Sequence, residues 1–260
     1  MNAFLERQRW LVAEWRLLSF SSKLLVIYGL FMLIALLLTY FWSFTDSRLI
    51  REVGVWVKPM KFMASTALFA LTSIWVLKVA NSNIDQLHIF KWVVVLIVVT
   101  SLFEVVYISY QASLASASHY NVSDPIHAFM FGLMGVAAVG LTASQVWIAW
   151  LIWKEQSHAV IPTATWGVII GLLLTFILST VSGFMLGGNQ PPAGQGLPVV
   201  GWHLYKDIRP AHFLGVHAQQ LIPLCGLFAV KFLGSFSTSG LVILSMLYLL
   251  LWAILTVLSL

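Results

Sequence analysis

Residues 24–43 read LLVIYGLFMLIALLLTYFWS, a predominantly apolar run without one charged residue. A helix of roughly 20 apolar residues crosses the ~30 Å hydrocarbon core of a bilayer. The run follows a basic stretch, as the apolar part of a signal peptide does. It is too long for that part, however, and it offers no small-residue cleavage site. We therefore interpret it as a membrane-spanning helix.

The rest of the chain continues this pattern. Hydrophobic residues make up 60% of the 260 positions and charged residues 9%, and the mean hydropathy is +0.92. Soluble domains carry about 25% charged residues. The sequence therefore predicts an all-α, polytopic membrane protein, a bundle of seven transmembrane helices. The predicted spans lie near residues 24–43, 62–80, 89–110, 126–152, 163–186, 210–231 and 239–260.

Residues 1–22 mix Arg and Glu with Trp, Leu and Phe. This pattern is typical of an amphipathic helix that lies in the membrane interface. Residues 23–260 contain neither an internal repeat nor a linker. We therefore expect a single seven-helix transmembrane domain after an N-terminal interfacial segment.

The charge distribution bears on partners and on orientation. A net charge of +5, spread over the connections, argues against a nucleic-acid-binding surface. With seven spans, the two termini face opposite sides of the membrane. If the N-terminus is cytoplasmic, eight of the fourteen Lys and Arg residues lie inside and six outside. The positive-inside rule therefore favours a cytoplasmic N-terminus and an extracytoplasmic C-terminus.

Unusual polar residues concentrate at one end of the predicted bundle. The connections between spans 1 and 2, 3 and 4, and 5 and 6 share one side of the membrane, here called the polar end. Glu104 and Gln111 lie on one stripe of the third span near this end, and His119 and Asn121 follow in the next connection. A carboxylate inside a span requires a cationic partner or a proton, so we expect Glu104 to be functional.

The sixth span begins with RPAHFLGVHAQQLIPL, residues 209–224. On a helical wheel, one broad side of this span carries Arg209, His212, His217 and Gln220. At ~1.5 Å per residue, Gln220 lies some 15 Å below Arg209. Polar groups at that depth are costly in lipid, so this side is predicted to face the bundle interior or a water-filled cavity.

Two predicted helices begin with a basic residue followed by proline, at residues 58–59 and 209–210. The residue before such a proline is usually the N-cap, where Ser, Thr, Asp and Asn are preferred. Lys58 and Arg209 instead place a cation at the positive end of a helix dipole, and Lys61 lies close by. A compensating anion is therefore expected, either a phosphate or carboxylate of a ligand or an internal acid such as Glu104 or Asp207.

Histidines supply the candidate metal ligands. The set predicted for a metal ion is His127, His212 and His217, which come from two different spans. Such a set suits zinc, and a pair such as His127 and His212 suits haem b equally. Neither an HExxH nor a CxxC motif decides between the two.

Small residues recur at every fourth position of the fifth span: Gly167, Gly171, Thr175, Ser179, Gly183 and Gly187. Such a stripe allows a second helix to approach closely. It predicts packing against another helix, within the chain or in an oligomer.

Three function classes remain open. The favoured one is a membrane-embedded enzyme that acts on an amphipathic, anionic, lipid-like substrate in a cavity open to the extracytoplasmic side. Its partners are then membrane lipids and this small ligand. The predicted catalytic residues are Glu104, His119, Asp207, His212 and His217. The predicted substrate-binding residues are Lys58, Lys61, Gln111, Asn121, Arg209 and Gln220.

The alternatives are a haem- or quinone-binding redox protein and a proton-coupled transporter. A transporter is expected to carry polar residues through both halves of the bundle, and the inner half is interpreted as poor in them.

Overall fold

The computed structural model describes residues 15–188, 196–197, 201–202, 207–234 and 237–259. Long helices account for most of these residues, so the all-α prediction is confirmed. Seven of the described helices are long and apolar enough to cross a membrane. They are α1 (Phe20–Ser43), α2 (Val57–Val79), α3 (Phe90–Ser113), α4 (Pro125–Gln156), α5 (Thr163–Gly188), α6 (Arg209–Leu233) and α7 (Thr238–Leu258).

Side-chain caps fix several of the helix starts. The Ser19 hydroxyl accepts the Ser22 amide N–H at 3.1 Å before α1, and Ser237 accepts the Gly240 amide N–H at 3.1 Å before α7. Asp124 caps α4, with proline at the first helical position, as its Asp-Pro sequence predicts.

The predicted interfacial segment, residues 1–22, falls largely outside the described part of the chain. Residues 1–14 are not described, and α1 already begins at Phe20. Trp15 and Leu17, which precede α1, are exposed.

Two main apolar clusters hold the bundle together, beside a third, minor one of Tyr107, Ile108 and Met134. The larger cluster joins α1, α2, α3 and α4 with the first half of α5, and α2 is the most buried of the spans. The smaller cluster joins α5, α6 and α7 around Leu178, Ala218 and Tyr248. The Tyr248 hydroxyl also donates to the Leu214 carbonyl at 2.5 Å, which ties α7 to α6.

The small-residue stripe of α5 lies against α6. A Cβ atom added at Gly171 would meet the Ala218 carbonyl oxygen at 2.9 Å, and one added at Gly215 of α6 would meet the Ser179 nitrogen at 2.8 Å. The backbone N–H of Gln219 donates to the Thr175 hydroxyl at 2.8 Å. Close approach of two backbones through Gly, Ser and Thr is the packing that such stripes allow in membranes.

The polar end carries a short hairpin between α1 and α2. Strands β1 (Leu49–Ile50) and β2 (Val53–Gly54) pair antiparallel, Leu49 opposite Gly54 and Ile50 opposite Val53. Arg51 and Glu52 form the turn with φ of 49° and 63°, the backbone that a tight two-residue hairpin requires. A second hairpin, β3 (Gly196–Leu197) with β4 (Gly201–Trp202), lies between α5 and α6.

Asp46 and Arg48 fasten the first hairpin to α3. Arg48 donates to both Asp46 carboxylate oxygens at 2.9 and 2.7 Å and to the Ser113 carbonyl at 2.9 Å. The bond from Arg48, together with the one from the Trp56 indole, holds the pKa of Asp46 well below its usual range.

The opposite end, formed by the other three connections, is held by two acids. Asp85 accepts hydrogen bonds from the Ser22 hydroxyl at 2.7 Å and the Ser19 amide at 3.4 Å. Glu155 of α4 accepts from the Ser82 hydroxyl and from the Asn83 amide at 3.0 Å. These bonds join α1 and α4 to the connection between α2 and α3.

Candidate functional site

The polar end of the bundle brings three of the predicted residues together. Glu104 of α3 is 7% exposed and interacts electrostatically with Lys58 in the first turn of α2. Lys58 also acts on His119 in the connection between α3 and α4. An acid, a cation and an imidazole from three segments therefore form one cluster, here called the Lys58–Glu104–His119 cluster.

Aromatic rings enclose His119. Its ring lies 5.8 Å from the rings of both Phe62 on α2 and Phe131 on α4. The Lys58 ammonium lies 6.0 Å from the centre of the Phe62 ring. Burial among these groups, and then the charge of Lys58, lowers the pKa of His119 well below its usual range. The lowered pKa favours the neutral form of the His119 ring at pH 7.

The connection that carries His119 is held rigidly. The Tyr120 hydroxyl donates to the Leu186 carbonyl at 2.6 Å, which ties this connection to the end of α5. Burial raises the pKa of Tyr120 to about 12, so this hydroxyl keeps its proton. The Asn121 amide nitrogen donates to the Ala117 carbonyl at 3.0 Å and its oxygen accepts from Ser123 at 2.8 Å. Asn121, predicted to bind substrate, thus closes its own loop.

Two buried polar groups near this cluster have no hydrogen-bond partner within the part of the chain that the structure describes. Gln111 is 3% exposed, and its Oε1 atom has no hydrogen-bond donor among the described residues. The Tyr107 hydroxyl faces the Gln111 amide without reaching hydrogen-bond geometry. A buried acceptor left without a donor costs about 1–3 kcal/mol, so a donor from a bound molecule or water would stabilise this site.

Two of the three cations predicted to meet an anion have an acid of the protein as a partner. Arg209 donates to both carboxylate oxygens of Asp207, each at 2.7 Å, and Lys58 lies near Glu104. Lys61 instead feels the charge of Arg209, a repulsive interaction between cations. Internal acids therefore compensate two of the cations, Lys58 and Arg209. A bound anion would relieve the repulsion between Lys61 and Arg209.

The predicted capping positions of these cations are wrong by one or two residues. Helix α2 begins at Val57 with Trp56 as its N-cap, and α6 begins at Arg209 with Ile208 as its N-cap. Lys58 and Arg209 are therefore first-turn residues. The N-cap is not set by proline alone, because the first turn tolerates proline at several positions whose N–H has no helical partner. The unfavourable placement of a cation near the dipole's positive end is unchanged.

The predicted metal set does not come together. His127 pairs with the cap residue Asp124, whose pKa is lowered chiefly by the hydrogen bond from the His127 amide. His212 contacts the Ser182 hydroxyl at 3.1 Å, in the α5–α6 crossing. His217 bonds to Gln220. Within the described residues, no group of three His, Cys, Asp or Glu side chains could hold a metal ion.

Gln220 points towards α2, as predicted for the inward face of α6, whereas His217, predicted to share that face, lies beside exposed apolar side chains. Its amide nitrogen donates to the Thr72 hydroxyl at 3.0 Å, and Thr72 is 4% exposed. His212 lies beside Gly183, where an added Cβ would be 3.6 Å from the imidazole. This position makes His212 part of the contact between α5 and α6.

Buried polar residues also occur in the half of the bundle near the opposite end, contrary to expectation. Ser73 and Gln145 are fully buried, and the Gln145 amide donates to the Ser73 hydroxyl at 3.4 Å. The Tyr28 hydroxyl forms a 2.8 Å hydrogen bond with Ser101, close enough to Glu104 to feel its charge. These residues were not predicted, because single Ser, Tyr and Gln residues in apolar helices form no pattern in the sequence that indicates a buried contact.

The fold thus defines an integral, multi-pass membrane protein whose polar end holds a buried acid–base cluster. No protein-family model matches the chain, and it is significantly similar neither to a curated protein nor to a solved structure.

Proposed function

We propose that the protein is a membrane-embedded enzyme that binds an anionic, lipid-like substrate at its polar end. The observation that carries the proposal is the Lys58–Glu104–His119 cluster. A carboxylate, an ammonium and a neutral imidazole, held close together and partly shielded from water, are the groups that general acid–base catalysis uses. Clusters of this kind concentrate at functional sites more than in structural cores.

The roles follow from the chemistry of each group. Glu104 acts as the proton-transferring group, and Lys58 stabilises negative charge that develops on the substrate. His119, which also interacts with Lys58, is a second group that could take part in this proton transfer. Lys61 and Arg209 bind the anionic head group, which would relieve their mutual repulsion. A polar donor on the substrate would fill the unpaired acceptor of Gln111.

The experiment reconstitutes the full-length protein in nanodiscs that contain total membrane lipid extract. Lipid species are followed over time by mass spectrometry, and the matched control is Glu104→Gln, which keeps the size of the side chain. We expect one class of anionic lipid to be converted by the wild type and to persist with Glu104→Gln. Lys61→Gln is expected to raise the lipid concentration needed for turnover. Identical lipid profiles with wild type and Glu104→Gln would overturn the proposal.

A proton-coupled transporter is the second candidate, and one observation favours it. Hydrogen-bonded polar pairs continue below Glu104, namely Tyr28 with Ser101 and Ser73 with Gln145. Proteoliposomes with an internal pH dye distinguish the two functions. Proton uptake that depends on Glu104, in vesicles where lipid composition stays constant, would favour transport over catalysis.

A further inference from the structure

His217 is an imidazole on an otherwise apolar, outward-facing stripe of α6. It lies about 12 Å below the start of the helix, at ~1.5 Å per residue. Residues four before it and seven and eleven after it share this side of the helix and are exposed: Phe213 at 59%, Leu224 at 36% and Phe228 at 53%. His217 itself is partly exposed. Ionisable side chains inside a span almost always face the bundle interior, so this placement requires a reason.

The hydrogen bonds of Gln220 fix which nitrogen of His217 carries the proton. The Gln220 amide nitrogen donates to Thr72, so its Oε1 atom is the group that faces His217 Nδ1, at 3.3 Å. An amide oxygen only accepts hydrogen bonds. His217 Nδ1 therefore donates, and in the neutral ring the lone pair resides on Nε2.

The Nε2 atom of His217 is left as an acceptor without a partner among the described residues. The Phe213 ring packs against the imidazole with ring centres 4.2 Å apart and holds it in place. The hydrogen bonds from Gln220 to Thr72 and from His217 to Gln220 thus tie the partly exposed imidazole to the buried Thr72. They leave the Nε2 acceptor directed away from this contact. In hydrocarbon, such an acceptor can be satisfied only by a donor that is itself dissolved in the membrane.

We propose that His217 is the recognition point of a binding site for a lipid alcohol. The alcohol O–H would donate to His217 Nε2, and the apolar part of the lipid would lie along Phe213, Leu224 and Phe228. A diacylglycerol, a polyprenol and a sterol share this chemistry, and the experiment distinguishes them. This site lies on the outer stripe of α6 and does not depend on the acid–base cluster at the polar end.

The test uses photoactivatable lipids with the full-length protein in nanodiscs. Each of the three lipid alcohols is compared with its own methyl ether, which is larger by one methyl group and cannot donate. Crosslinks to α6 are quantified by mass spectrometry. One net hydrogen bond is worth about 0.5–1.5 kcal/mol, so the alcohol is expected to label roughly two- to tenfold more than its ether. The lipid with the largest ratio identifies the natural class.

Two substitutions of His217 separate ligand binding from a structural role. His217→Asn keeps a donor near the Nδ1 position for Gln220 and lacks an acceptor near Nε2. His217→Gln places its polar group near the Nε2 position. We expect His217→Asn to abolish the preference for the alcohol and His217→Gln to retain most of it. Rescue by Asn and failure with Gln would show that the Gln220 contact alone matters, and would overturn the proposal.

The wild type alone also decides the question if either variant fails to fold. Equal labelling by every alcohol and its ether, or labelling confined to helices other than α6, would overturn the assignment. A preference for one alcohol on α6 would support it.

Discussion

At the scale of single residues, Lys58 and Glu104 are an ionisable pair within a largely apolar bundle. Glu104 is buried, whereas Lys58 keeps part of its surface exposed. Removing one member of a buried pair leaves the other charge without compensation and costs about 3–5 kcal/mol. Because Lys58 is partly exposed, we expect less here, about 1–3 kcal/mol for either Lys58→Met or Glu104→Gln.

The double variant Lys58→Met/Glu104→Gln tests whether this energy belongs to the pair. If the two groups compensate each other, the double variant is more stable than the sum of the single losses predicts. Unfolding in mixed detergent, followed by tryptophan fluorescence, gives the three free energies. Strictly additive losses would show that Lys58 and Glu104 do not interact.

His119 predicts a pH dependence of stability. Its pKa in the folded protein is lowered, while the unfolded chain titrates near 6.5. The unfolded state therefore binds more protons below pH 6.5, and folding stability is full above that pH and falls as the pH decreases. One proton contributes at most ~1.4 kcal/mol per pH unit.

The measurement compares thermal unfolding of wild type and His119→Phe between pH 7.5 and 5. Phenylalanine keeps an aromatic ring between Phe62 and Phe131 and cannot titrate. We expect the melting temperature of the variant to fall less on acidification. Parallel curves would mean that His119 is protonated equally in both states.

At the scale of helices, the α5–α6 crossing depends on glycine at specific points. A Cβ atom at Gly215 would lie 2.8 Å from the backbone nitrogen of Ser179, which cannot move without shifting α5. We expect Gly215→Ala to cost about 1–3 kcal/mol through overpacking. Gly135 of α4 has nothing within 4 Å of such a Cβ, so Gly135→Ala should be neutral or stabilise the helix by up to about 1 kcal/mol.

The same detergent unfolding assay ranks the two glycine variants. Both substitutions add one methyl group within a helix, so their difference isolates the contact with α5. Equal effects at the two positions would contradict the close crossing.

The helices could be predicted from the sequence far better than their contacts. Hydrophobic length alone places all seven spans, because each must cover the same membrane thickness. The partners of Gln145 and Tyr28 could not be predicted, since they depend on how each helix is rotated about its axis. The need of Glu104 for a cation or a proton could be predicted, because a carboxylate in a span needs compensation wherever the helix faces; Glu104 is buried and interacts with Lys58. The three histidines match a metal site in composition but not in geometry. His127 pairs with the cap residue of its own helix, His212 contacts Ser182, and His217 bonds to Gln220.

At the scale of the whole molecule, the two ends of the bundle compensate charge differently. The ion pairs found among the described residues lie at the polar end, where Asp46 and Asp207 neutralise Arg48 and Arg209. At the opposite end, four lysines lie beside aromatic rings at 5.1–6.0 Å, without a carboxylate partner in the described part of the chain: Lys23, Lys91, Lys154 and Lys231. Lysines of this kind reach towards lipid phosphates at the membrane surface.

We therefore predict that the opposite end faces the cytoplasm, where lysines near span ends accumulate and where anionic lipids are concentrated. Single cysteines replace Ser157, between α4 and α5, and Gly196, between α5 and α6, in a Cys225→Ser background. This background is free of other thiols because Cys225 is the only cysteine in the sequence. A membrane-impermeant maleimide should label the Gly196→Cys protein on intact cells and the Ser157→Cys protein only after permeabilisation. The reverse pattern would invert the orientation, and labelling of both from one side would contradict the passage of α5 through the membrane.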